Sequence, residues 1–167
     1  MSNIGWVETE RAINPQEMTD LLNRLNKTKF KDQFNIIVGN GWKGDGWGWQ
    51  VNHKDNESLY GYRFYTMTKQ YSVNDHTIET EHKGGGDHWM RWVDGEILNE
   101  IAVVFGGKVY DEGGEDCTHE GKPGGQSWED HLKDRWKHHL SHGEKIPAFV
   151  AEFTPKVFTD GIDFQKR

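Results

Sequence analysis

Val, Ile, Leu and Phe supply only 34 of the 167 residues. That fraction, about a fifth, lies at the boundary below which chains fail to bury enough apolar surface to order themselves. Eight Trp, five Tyr and four Met offset the deficit, since each aromatic side chain buries roughly 150–250 Å². The chain is therefore expected to fold around rings more than aliphatics. Its length suits a single globular domain over residues 1–167. No apolar run approaches the roughly 18 residues that span a bilayer, so no membrane partner is expected. The opening MSNIGWVETER lacks a basic start followed by an apolar stretch. Cys117 is the sole cysteine and has no second thiol to pair with inside the chain. A cytoplasmic setting is the simplest expectation.

The clearest local signal is Asn14-Pro15 with Glu17 three residues after Asn14, a cap followed by a residue suited to the first helical position. Met18, Leu21, Leu22 and Leu25 then share one face, predicting a helix that ends near Lys27. Trp6 to Ile13 reads as a strand. Phe34, Ile36 and Val38 alternate, as do Trp47, Trp49 and Val51, with the turn dipeptides Asn40-Gly41 and Asp45-Gly46 between them. Leu59 to Thr68 and Tyr71 to Thr80 form a second hairpin pattern. Val93, Ile97, Ile101 and Val104 predict a second helix between Asp87 and Phe105, stopped by Gly106. Gly95 costs about 1 kcal/mol inside a helix, which leaves open a start at Asp94 as the cap. Lys108 to Asp111 is a short strand, Ser127 to His142 a third helix, and Pro147 to Phe153 a final edge strand. The order predicts an α+β fold, a mostly antiparallel sheet with about three helices packed on one face. The preferred version is a ferredoxin-like core with extra hairpins.

Charge is distributed very unevenly. Between Asp94 and Glu120 stand eight acids (Asp94, Glu96, Glu100, Asp111, Glu112, Glu115, Asp116 and Glu120) and one base, Lys108. This window carries the whole formal charge of -7. Five of the acids crowd into Asp111 to Glu120 around Gly113 and Gly114. Like charges so close keep a loop solvated and mobile unless a cation or a basic partner neutralises them. An acidic balance also argues against direct nucleic-acid binding. The segment does not match a calcium-binding EF-hand loop, because Lys122 stands where the bidentate Glu belongs.

Two further features bear chemistry. His131, His138 and His142 fall within about 40° of one another on the third helix. His138 and His142, at i and i+4, have a spacing that chelates a metal, with His119 and Cys117 on the preceding loop able to complete a zinc site. The bland alternative is that these histidines border the apolar stripe of Trp128, Leu132, Trp136 and Leu140. The run Gly39 to Trp49 holds Trp42, Trp47 and Trp49 among five glycines. Exposed, such rings stack on a sugar or anchor a protein interface; buried, they serve the core.

Taken together, the residues point first to a small acidic, non-enzymatic protein acting by contact with a basic protein surface. Asp111, Glu112, Glu115, Asp116 and Glu120 would carry the charge, and Trp42 and Trp47 the apolar anchors. An inhibitor or nucleic-acid mimic of the type encoded by phages or plasmids has this profile. The competing classes are a metal-dependent hydrolase using the histidine cluster and a carbohydrate or small-ligand binder using the Trp-Gly hairpin. No cofactor is expected under the first reading and zinc under the second. The nine histidines have reference pKa values near 6.5, so full protonation moves the net charge from -7 to about +2. Solubility measured against pH should therefore change sharply between about pH 7 and 5; a flat profile would contradict this.

Overall fold

The computed structural model describes residues 3–41, 46–55, 61–69, 72–82, 89–111, 114–116, 118, 146–152 and 164–165. In chain order these form β1 (Asn3–Thr9), α1 (Pro15–Lys27), β2 (Phe34–Asn40), β3 (Trp47–His53), β4 (Gly61–Lys69), β5 (Ser72–His82), α2 (Trp89–Phe105) and β6 (Gly107–Asp111). A short β7 (Ile146–Pro147), a 3-10 turn over Ala148–Glu152 and β8 (Phe164–Gln165) follow. The α+β reading holds, with a six-stranded antiparallel sheet in the order β2-β3-β4-β5-β1-β6 and α1 and α2 against it. The third helix expected over 127–142 lies outside the described residues.

α1 forms where its cap predicts. The Asn14 side chain accepts the N–H groups of Gln16 and Glu17 at 3.0 and 3.1 Å, satisfying two donors that a helix start leaves open. α2 runs through Gly95, so Asp94 is an interior residue and not a cap. Burial of Met90, Trp92 and Val93 outweighs the roughly 1 kcal/mol that the glycine costs. Gly106, at φ +68, ends the helix. The final strand expected over Pro147 to Phe153 is also corrected. Among the described residues there, Ile146–Pro147 is strand, pairing in parallel with β8, and Ala148–Glu152 coils to bring Phe149 against Phe30 and Phe34 at 6.3 and 6.0 Å.

Residues paired directly across a ladder share a face. Trp49, Phe64 and Thr80 lie opposite one another on β3, β4 and β5. The Trp49 indole N–H donates to Thr19 of α1 at 3.0 Å, and the Thr80 hydroxyl donates to Asp94 of α2 at 2.8 Å. Both helices therefore cover the same face, over a core that includes Val7, Val51, Tyr62, Ile78 and Val109. β5 and β6 each pair antiparallel with β1, so α2 joins two parallel strands with β1 lying between them. Without the β3–β4 hairpin the order reads β2-β5-β1-β6.

Of the residues in the two helical stripes, Met18, Leu21, Leu22, Leu25, Val93, Ile97 and Ile101 are buried and Val104 is half-buried. Ile101 is fully enclosed, so Ile101→Ala should lower stability by about 2–5 kcal/mol in chemical denaturation. A loss under about 1 kcal/mol would mean that the helix layer does not pack as described.

Candidate functional site

The helices leave the opposite face of the sheet to other groups, and the strand register sets what stands there. Tyr110, Trp6, Glu79 and Tyr65 form one row across β6, β1, β5 and β4. Glu81 and Arg63 stand opposite each other in the next row. Trp6 and Tyr110 stack with ring centroids 5.5 Å apart and planes 19° from parallel. The Tyr65 hydroxyl donates to Glu81 at 2.5 Å. Burial, reinforced by that bond, pushes the hydroxyl well above the ordinary tyrosine range. Burial, and after it the charge of Glu81, pushes the Glu79 carboxyl up as well. Tyr65 thus stays protonated at neutral pH and Glu81 is engaged as its acceptor.

Residues 114–116 and 118 of the acidic segment lie beside this face. Gly114 turns at φ +82 and lies over Trp6, close enough that a Cβ there would stand 3.8 Å from the ring. Asp116 bridges to Tyr110, and the Thr118 hydroxyl accepts the Val109 N–H at 2.7 Å. The Asp116 carboxylate accepts the Thr118 N–H at 3.0 Å. That bond, then the Thr118 side chain and, more weakly, Lys108, hold Asp116 below the usual carboxylate range. At 114–116 and 118 the chain makes backbone and side-chain contacts to β6. Glu115 and Asp116 remain exposed, and Asp111 ends β6. Glu112 and Glu120 lie outside the described residues.

The rest of the acidic window is not on this surface. Asp94 and Glu96 are buried, Asp94 bonded to Thr80 and Glu96 paired with Lys29. Glu100 pairs with Arg24 of α1 at 2.9 Å. Three of the eight acids are thus spent joining α2 to its neighbours, a use that a count along the sequence does not reveal. Trp47 is exposed at 47 % and Trp49 buried at 1 %. Both point to the same face of β3, but Trp47 stands at its end. β3 lies four strand spacings from β6, about 19 Å, so Trp47 and the acidic segment are not brought together. The ring beside the acids is Trp6, which no local pattern marked. Trp42, and the metal candidates Cys117, His119, His138 and His142 with His131, lie outside the described residues. Among the described residues no three His, Cys, Asp or Glu side chains cluster as a metal site would require.

The chain matches no protein-family model, no curated protein and no solved structure.

The raised Glu79 carboxyl has a consequence for stability. Its folded form binds a proton more readily than the unfolded chain, so stability falls as pH rises above its ordinary value of 4.5. Glu79→Gln should accordingly raise the melting temperature at pH 7. The gain should shrink toward pH 4, where the native carboxyl is protonated. A lower melting temperature at pH 7 would show that the charged form is needed for folding.

Proposed function

We propose that this chain is a non-enzymatic binding protein that meets a basic protein surface with the outer face of its sheet. The observation that carries this reading is the union of the stacked Trp6–Tyr110 pair with Glu115 and Asp116, held beside it by the fold-back at Gly114. Exposed carboxylates steer a cationic partner, and flanking rings provide the apolar area that retains it. Glu8 and Glu79 stand on the same face, with Lys108 opposite Glu8 and Arg63 opposite Glu81. Charges held beside the sheet by backbone contacts to β6 present a fixed spacing to a partner, which suits an inhibitor or nucleic-acid mimic of phage or plasmid type acting in a cytoplasm. The scaffold in this proposal is a ferredoxin-like core with the β3–β4 hairpin inserted and the 127–142 helix added to its helical side. The strand order left by removing that hairpin supports it.

Affinity capture tests the reading with wild-type bait beside a Trp6→Ala, Glu115→Gln bait. Asp116 is left intact because its carboxylate holds the turn. Wild type should retain a basic protein that salt releases, and the double variant should associate with it at least ~10-fold more slowly, with a flatter salt dependence. Equal retention and equal salt response by the two baits would remove this face from the function.

A further inference from the structure

The two edges of the sheet are finished differently. At β6 the outward Val109 N–H is taken by Thr118, the chain folds back through the Tyr110–Asp116 bridge, and Lys108 places a charge on the strand. β2, the other edge, reads Phe-Asn-Ile-Ile-Val-Gly-Asn. It has no charge, no proline and no bulge, and all seven residues are in register with β3. Exposed strands normally carry at least one of these guards against pairing. Ile37 and Val38 are exposed at 47 and 41 %.

Backbone direction along β2 is fixed by its hydrogen bonds. In an antiparallel ladder the N–H and C=O of one residue point to the same side, and the side alternates. Gln33 accepts from Lys54 at 3.0 Å and Gly41 donates to Gly46 at 3.2 Å, on the β3 side. Odd-numbered residues therefore face β3, and Phe34, Ile36, Val38 and Asn40 face outward. The outward groups of Phe34 are already satisfied by Asn26, whose side-chain amide donates to its C=O at 2.8 Å and accepts its N–H at 3.0 Å. Asn40 begins the turn, with its carbonyl laid over Gly48, where a Cβ would approach it to 2.5 Å. Ile36 and Val38 keep outward groups with no hydrogen-bond partner among the described residues.

We infer that β2 pairs antiparallel with β2 of a second copy of this chain, on a two-fold axis at Val38. In this register the two Val38 residues exchange both backbone bonds, and each Ile36 carbonyl accepts from Asn40 of the second copy. A register centred on Ile37 would lay Asn40 of the second copy beside Phe34, where Asn26 stands. Centred on Val38, the second strand turns away before reaching Asn26. Ile37 then covers Gly39 of the second copy, whose missing Cβ would meet nothing within 4 Å. An uncharged edge meets its copy without repulsion, and the exposed Ile37 and Val38 are covered in the same step. This pairing uses the edge opposite the acidic face and is independent of the binding role proposed above.

Sedimentation and cross-linking of the full chain test the pairing, with cysteine variants made on a Cys117→Ser background. Wild type should sediment at twice the 19.4 kDa of one chain. Val38→Cys should form an intermolecular disulfide, because directly paired residues stand about 5.5 Å apart between α-carbons. Ile37→Cys, facing Gly39, should not. Val38→Lys should give a monomer with an unchanged circular dichroism spectrum. A wild-type monomer up to its solubility limit, growth past two copies, a dimer indifferent to Val38→Lys, or cross-linking at 37 as strong as at 38 would each overturn the pairing.

Discussion

Trp49, Phe64 and Thr80 form a row across three strands, and both helices are fastened to that row through its polar tips. The indole N–H of Trp49 reaches Thr19 on α1, and the Thr80 hydroxyl reaches the fully buried Asp94 on α2. A chain short of aliphatics must build its core from rings, and a ring with an N–H or O–H needs a partner once water is excluded. The partner therefore fixes where each helix lies. Lys29 with Glu96 and Arg24 with Glu100 then join α2 to α1 and the turn after it. Loss of the Asp94 contact would leave a polar group inside the core, which costs more than the bond itself contributes.

With both helices committed to one face, the other face and the two edges acquire separate roles. β1 sits between β5 and β6, and that placement sets Trp6 between Tyr110 and Glu79. The fold-back at Gly114 closes the β6 edge and brings Glu115 and Asp116 to the same surface. Among the described residues the β2 edge is left open except at Phe34, where Asn26 closes it. A dimer across β2 would carry an acidic aromatic face on each copy, at the far side of each sheet. Such a bivalent arrangement strengthens binding to a repetitive or dimeric partner without any new contact.

The elements whose signals are local were legible in the sequence. Asn14-Pro15 and the Met18–Leu25 stripe specify α1, and Gly106 ends α2 as its spacing requires. The alternation of β2 and β3 is likewise plain in the sequence, although in β2 only Phe34 is buried and in β3 buried residues stand on both faces. The site was legible only in part. Glu115 and Asp116 are exposed as expected, but Trp6 becomes their neighbour only when β1 inserts between β5 and β6, a pairing far apart in sequence. Asp94, Glu96 and Glu100 look like the acids of Asp111–Glu120 in a charge count; only the positions of Thr80, Lys29 and Arg24 distinguish them. Trp47 and Trp49 carry the same strand signal, and their burial differs because one stands at the end of β3 and the other in its middle.

The central claim is that the acidic segment and the Trp6–Tyr110 pair act as one surface. Titration of isotope-labelled protein with an oligolysine peptide, followed by nuclear magnetic resonance, tests it most directly. The indole N–H of Trp6 and the amides of Gly114, Glu115 and Asp116 should shift together along one binding curve. Salt should abolish those shifts, and the Trp47 and Trp49 indoles should stay in place. Shifts centred on Trp47, or acidic-segment amides that move while Trp6 does not, would contradict the account.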